Sequence, residues 1–186
     1  MLHVKGLGVL DCRTYITERF GEAAHEKIRA EMTERDQDIV YAEDLSPLSW
    51  VEVEAVINHA LAVDRALGNG DGEVRDTMLR ELARKHFHGI YRIMFRSVSR
   101  GEVVAKLGSI WSRYYDHGQG TIEFLDECHA TNKITGVADA PLHHELLVIP
   151  YIESILTLCG LKTVAVKHTR CVARGDDSCV FQYSWT

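Results

Sequence analysis

The stretch HTRCVARGDDSCVFQYSWT, His168 to Thr186, decides how the end of this chain folds. Cys171 and Cys179 stand eight positions apart around a tight turn at residues 174–177, which includes a Gly-Asp pair. Residues on both sides of the turn alternate between apolar and polar, which is typical of two strands in a hairpin. The hairpin therefore brings two thiols together, with a histidine three residues before the first of them.

The chain changes from helical to strand-forming patterns near residue 119. Residues 1–118 carry apolar side chains at helical spacing, and residues 119–186 contain strand-like segments crossed by one helix. Ser49 and Glu52 form a capping-box pattern, which predicts that a helix begins there. These patterns predict a single α+β domain over residues 1–186, with an antiparallel sheet of about four strands packed against several helices.

Composition excludes several classes of function. The net charge of −6 and the lack of a basic stripe argue against nucleic acid as a partner. The sequence contains no run of about 18 or more apolar residues, so no membrane span is predicted. The five cysteines have no disulfide-framework spacing, which together with the missing signal-peptide pattern predicts a cytoplasmic protein. Motifs for phosphate loops, dinucleotide binding and hydrolase nucleophiles are missing, so we expect no enzyme activity.

The region from Gly120 to Trp185 resembles the 4-vinyl-reductase domain family. The matching features are Gly160 at a helix end, the strand Val164–Val166, His168, and the two cysteines around the Gly-Asp turn. The whole chain also resembles an uncharacterised myxobacterial family of about this length. The resemblance implies a superfamily with aromatic-effector sensors, TRAPP vesicle-tethering subunits and haem nitric-oxide-binding domains. It further implies helices over an antiparallel sheet, an apolar ligand pocket and a homodimer.

A zinc site is one implication of this resemblance. Phenol-sensing members hold zinc with an upstream Cys, a Glu, a Cys three residues later and a Cys eight further on. Here Cys171 and Cys179 match, His168 takes the Glu position, and His144 or its neighbour His143 replaces the upstream Cys. This His₂Cys₂ set suits a structural zinc ion with no open position for water.

Two features count against the zinc prediction. Two of the four ligands differ from the family pattern. Strand alternation also puts His168 and Cys171 on opposite faces unless a bulge or a strand end intervenes. The alternative is that Cys171 and Cys179 pack as small buried side chains in the hairpin.

A small apolar or aromatic ligand is the second implication. The predicted wall of its pocket consists of aromatic side chains: Tyr91, Phe95, Trp111, Tyr115 and Phe124. Core packing explains any one of these residues equally well.

The sequence argues against haem as the cofactor. The related gas sensors use a histidine on a helix and a Tyr-x-Ser-x-Arg clamp, and the clamp is missing here. His86, His88 and His117 are conceivable axial ligands, but solvated or hydrogen-bonded roles suit them better.

The favoured function is a non-enzymatic sensor that binds a small molecule and acts as a homodimer through a downstream signalling protein. The alternative is an interaction scaffold of the vesicle-tethering type. A haem-based gas sensor comes third.

Overall fold

The computed structural model describes residues 1–87, 100–137 and 142–186. These residues form α-helices and two antiparallel sheets, so the predicted α+β class is confirmed. The chain divides into two compact units, residues 3–82 with Met1 and residues 83–186 with Leu2. The single domain stays a prediction.

The first unit combines helices with a two-stranded ribbon. Its elements are β1 His3–Lys5, α1 Leu7–Phe20, α2 Ala23–Ala30, α3 Glu34–Val40, β2 Trp50–Glu52 and α4 Val53–Leu67. Helix α5, Glu73–His86, begins in this unit and ends in the second. The predicted helix start at Ser49 is wrong, because β2 pairs with β1 and the helix begins only at Val53. The Ser49 hydroxyl instead accepts a hydrogen bond from the Ser46 amide at 3.0 Å and closes a turn.

Two groups of buried apolar side chains form the interior of the first unit. One group comprises Ile16, Ala24, Ile28, Ala62, Val63, Met78 and Leu82. The other comprises Val9, Val40, Val51 and Ala55. Ala24 and Ile28 are four residues apart and face the same side of α2, as a helix with one buried stripe requires.

A buried carboxylate organises the loop between α4 and α5. Asp64 is 2% exposed. One of its oxygens accepts from the amide of Gly72 at 2.6 Å, and the other accepts from Val74 at 3.1 Å and Arg75 at 3.2 Å. The carboxylate thus satisfies amides at the start of α5, where helix geometry leaves them without partners.

The second unit contains a four-stranded antiparallel sheet in the order β3-β4-β6-β5. The strands are β3 Gln119–Phe124, β4 His129–Thr135, β5 Ala165–Arg170 and β6 Cys179–Ser184. The helices are α6 Arg100–Tyr114 and α7 Ile149–Leu158, and a π-helical turn, His144–Val148, leads into α7. Within the described residues, no helix is both long and apolar enough to span a bilayer.

Two glycines let α6 approach β3 closely. A Cβ atom on Gly120 would lie 2.6 Å from the carbonyl oxygen of Gly108, and one on Gly108 would lie 3.1 Å from that of Gly120. The 2.6 Å approach at Gly120 leaves no room for a side chain, and a Cβ on Gly108 would be a tight contact. One turn after Gly108, Trp111 is buried and its indole donates to the carbonyl of His117 at 2.9 Å.

Candidate functional site: a His/Cys cluster

A β-bulge places His168 and Cys171 on the same face of the hairpin. His168 lies opposite Phe181, but Arg170 lies opposite Val180, so Thr169 is an extra residue in β5. The residue after the bulged segment, Cys171, is thereby turned to the buried face. Without this bulge, strand alternation would place His168 and Cys171 on opposite faces of the hairpin.

The turn after β5 fixes the backbone of Cys171. Its amide donates to the carboxylate of Asp176 at 2.7 Å, and its carbonyl accepts from the amide of Asp176 at 3.1 Å. Gly175 has a φ of 89°, a left-handed conformation that glycine adopts without steric cost. The Gly-Asp pair is therefore explained by turn geometry alone.

His144 comes from a strained part of the backbone. The preceding Leu142 has a φ of 60°, which is unusual for a residue with a side chain. The π-helical turn then begins at His144, and such turns occur frequently at functional sites. Both His143 and His144 are 2% exposed.

Four side chains, His144, His168, Cys171 and Cys179, converge in what we call the His/Cys cluster. Each offers one ligand atom, and these four atoms lie within 4.8 Å of one another. The Sγ atom of Cys171 is 4.0 Å from that of Cys179 and 3.9 Å from Nδ1 of His144. All four metal-site residues predicted from the sequence are thus placed together.

The cluster lies in an apolar environment. Cys179 is 1% exposed, and the His168 ring stacks on Phe181 with 4.6 Å between ring centroids. Burial, together with the neighbouring His168 and Arg174, lowers the pKa of His144 to about 3. Burial also raises the pKa of Cys179 to about 11. At neutral pH the metal-free cluster therefore holds a neutral imidazole and a protonated thiol.

Two imidazole nitrogens in the cluster have no hydrogen-bond partner among the described residues. They are Nε2 of His144 and Nε2 of His168, and both are buried. The other ring nitrogen of His168, Nδ1, contacts Oε1 of Glu145 at 2.9 Å. Buried nitrogens without partners are rare in native proteins, so each needs an explanation.

The predicted aromatic wall is brought together only in part. Trp111 and Tyr115 stack with 4.0 Å between ring centroids. The Tyr115 hydroxyl is 3.0 Å from Nε2 of His143, whose Nδ1 is another buried nitrogen without a partner in the described chain. His143 is thus the polar side chain beside this wall, a role that the sequence did not indicate.

Phe124, another predicted wall residue, does not lie in this group. Phe124 is 42% exposed and packs edge-on against Trp185, because it ends an edge strand of the sheet. Tyr91 and Phe95 lie outside the described residues. The pocket stays a prediction.

A polar chain in the first unit was not indicated by the sequence. The Thr17 hydroxyl is 2.9 Å from Nε2 of His25. Nδ1 of the same histidine is 3.2 Å from the Tyr41 hydroxyl. That hydroxyl is 3.4 Å from Nε2 of His59, which is 1% exposed. The partners come from three helices and the residue after a fourth, so no local sequence spacing could reveal them.

The fold matches solved structures over the whole chain. The H-NOX protein from S. oneidensis in its Fe(II)NO state aligns with a TM-score of 0.68 at 9% identity, covering 98% of this chain and 99% of that chain. The unliganded Fe(II) H-NOX protein from K. algicida aligns with a TM-score of 0.64 at 11% identity, covering 98% of this chain and 96% of that chain. A mutant of the T. tengcongensis H-NOX aligns with a TM-score of 0.64 at 10% identity, covering 98% of this chain and 97% of that chain. The chain has the H-NOX fold.

The resemblance to the 4-vinyl-reductase family is wrong. The solved structures that match across the chain are H-NOX proteins. No protein-family model matches the sequence, and no curated protein does. The Gly-Asp turn between two cysteines, one of the features behind the resemblance, is accounted for by turn geometry.

The cofactor expectation is also wrong, since it set haem aside. The matching H-NOX structures are described by their Fe(II) states, and others of them by haem distortion. None of the comparisons shows zinc in a protein of this fold. The H-NOX fold therefore makes haem a cofactor that has to be tested on this chain.

Of the three histidines considered for haem, His86 and His117 lie within the described residues. Nδ1 of His86 is 2.8 Å from the Tyr151 hydroxyl. The side chain of His117 is 58% exposed beside Asp116. His88 lies outside the described residues, and α6, directly before the sheet, carries no histidine.

Proposed function

We propose that this chain is a sensor domain that binds a small molecule and is stabilised by a metal ion in the His/Cys cluster. One observation carries the metal part, namely the convergence of two imidazoles and two thiols in a buried site. The H-NOX fold supports the sensor part.

The ligand separations are close to those of a tetrahedral ion. With metal–sulfur distances of about 2.3 Å and metal–nitrogen distances of about 2.0–2.1 Å, ligand atoms lie roughly 3.3–3.8 Å apart. The two measured separations from Cys171, 4.0 Å to Cys179 and 3.9 Å to His144, are only slightly longer. Because all four ligand atoms lie within 4.8 Å of one another, a contraction of up to about 1 Å would let an ion bind all of them.

The donor set indicates the class of ion. Two sulfurs and two nitrogens in tetrahedral geometry suit a divalent transition-metal ion that binds thiolate and imidazole ligands. Four protein ligands leave no position for water or substrate, so the ion would join the hairpin to the π-helical turn. It would also give the buried nitrogen of His168 a partner.

The metal content of the purified protein tests this site. We expect one transition-metal ion per chain by elemental analysis, and loss of most of it in Cys171→Ser and Cys179→Ser. Cys159→Ser is the matched control, because Cys159 is a free thiol of the same unit outside the cluster. A chelator should lower the melting temperature of the wild type and of this control, since metal binding stabilises the folded state.

Uptake of metal by the apo protein decides the case. Chelated wild type should bind Zn²⁺ or Co²⁺ again with a stoichiometry of one. A wild type that takes up neither ion would contradict the metal site and favour the alternative, in which both cysteines merely pack in the hairpin.

The sensor part concerns a small ligand and a partner protein. The neighbours favour a haem-based form, since they are haem-binding H-NOX proteins. An apolar or aromatic ligand beside Trp111 and Tyr115 is the other form, with His143 as the polar contact. In either form, the domain would act without catalysis, in the cytoplasm, as a homodimer that signals through another protein.

Ligand binding tests the sensor part. We expect native mass spectrometry to find a retained small molecule, or a thermal-shift panel to find a stabilising one among haemin, aromatic compounds and lipids. A Soret band after haemin addition would identify the haem form. Failure of every probe to bind would contradict the sensor and favour the interaction scaffold.

A further inference from the structure

We propose that Glu145 is a positioning residue for the metal site, in that it orients His168 toward the bound ion. This inference rests on the proposed metal site in the His/Cys cluster. Glu145 follows the ligand His144 directly in the chain. The π-helical turn thus supplies both one ligand and the group that orients another.

The contact has the geometry of a carboxylate that orients a metal-bound histidine. Oε1 of Glu145 is 2.9 Å from Nδ1 of His168, whose side chain is 2% exposed, whereas that of Glu145 is 49% exposed. The carboxylate accepts the Nδ1–H hydrogen bond and so fixes the tautomer in which Nε2 carries its lone pair. That Nε2 is the buried nitrogen without a partner in the described chain.

Two further contacts restrict the His168 ring. It stacks on Phe181 with an angle of 13° between the planes, and it meets the His144 ring edge-on at 4.7 Å between centroids. Stacking fixes the plane of the ring, but it leaves the choice of nitrogen open, because both nitrogens lie in that plane. The hydrogen bond to Glu145 makes this choice. Partners of this kind typically raise metal affinity by about 10- to 100-fold.

Zn²⁺ competition with a chromogenic chelator tests the role of Glu145. We expect Glu145→Ala to weaken Zn²⁺ binding by about 10- to 100-fold. Glu145→Gln should lose less, because its amide oxygen can accept the same hydrogen bond without the charge. Glu127→Ala is the matched control, since it removes an exposed glutamate of the same unit and should leave the affinity unchanged.

Co²⁺ spectra separate positioning from general destabilisation. The visible bands of bound Co²⁺ depend on the nitrogen and sulfur ligands, so Glu145→Ala should change them while Glu145→Gln keeps them close to wild type. The melting temperature of the metal-free protein should be the same in all variants.

The outcomes distinguish this inference from the proposal beneath it. Wild type that binds neither ion would overturn both. Wild type that binds metal, with Glu145→Ala matching Glu127→Ala in affinity and Co²⁺ spectrum, would overturn the positioning role and leave the metal site standing. A lowered melting temperature of metal-free Glu145→Ala, with no change in the Co²⁺ bands, would assign Glu145 a structural role and would also overturn the inference.

Discussion

Replacing Asp64 with alanine is expected to lower the free energy of unfolding by about 3 kcal/mol or more. The side chain is buried and accepts hydrogen bonds from the amides of Gly72, Val74 and Arg75. Alanine leaves these three donors without an acceptor, and a buried donor that loses its partner costs about 1–3 kcal/mol. Urea denaturation followed by circular dichroism measures the change.

Two further variants make the Asp64 prediction specific. Asp64→Asn keeps one acceptor oxygen and should lose roughly half as much as the alanine variant. Asp71→Ala removes an exposed carboxylate that accepts a hydrogen bond from the amide of Glu73 at 3.0 Å, and it should cost about 1 kcal/mol or less. Equal urea midpoints for Asp64→Ala and Asp71→Ala would contradict the role given to the buried carboxylate.

Acid is expected to destabilise the fold through His59. Burial, followed by the positive charges of His25 and Arg13, lowers the pKa of His59 from 6.5 to about 3. Above pH 6.5 this histidine is neutral in both states, so it adds no pH dependence. Below pH 6.5 this histidine binds a proton in the unfolded chain but not in the folded chain. The free energy of unfolding therefore falls by about 1.4 kcal/mol per pH unit. By pH 3 the loss reaches about 4 kcal/mol.

His59→Gln isolates this contribution, because glutamine can still bond to Tyr41 but does not titrate. The unfolding free energy of the variant should run parallel to that of wild type above pH 6.5. Between pH 6 and pH 4 its slope should be shallower by about 1.4 kcal/mol per unit. Identical slopes in that window would show that His59 protonates in the folded state as easily as in the unfolded one.

The residues of the His/Cys cluster could be predicted because they belong to short patterns. Cys171 and Cys179 flank one turn, and His168 lies three residues before the first. His144 was one of two adjacent candidates, and only the structure separates it from His143, which contacts Tyr115 instead. Glu145 was missed, although a His-His-Glu run was the available signal.

Other features depend on partners far away in the sequence. Ser49 and Glu52 fit a helix start, but Trp50–Glu52 pairs with His3–Lys5, and no local spacing encodes a ladder across that distance. The amides that donate hydrogen bonds to Asp64 follow it by eight to eleven residues, on the far side of a glycine-rich loop. Phe124 was assigned to a buried wall because it is aromatic, yet its strand lies at the sheet edge.

The extra residue in β5 has a consequence for spacing. In a regular strand, two ligands on one face are separated by an even number of positions. Here Thr169 absorbs one position, so His168 and Cys171 share a face at an odd separation. Deleting Thr169 would remove the bulge and leave these two residues two positions apart, so a regular strand would still hold both side chains on one face. The odd spacing between His168 and Cys171 is therefore compatible with the His/Cys cluster only because the strand contains the bulge.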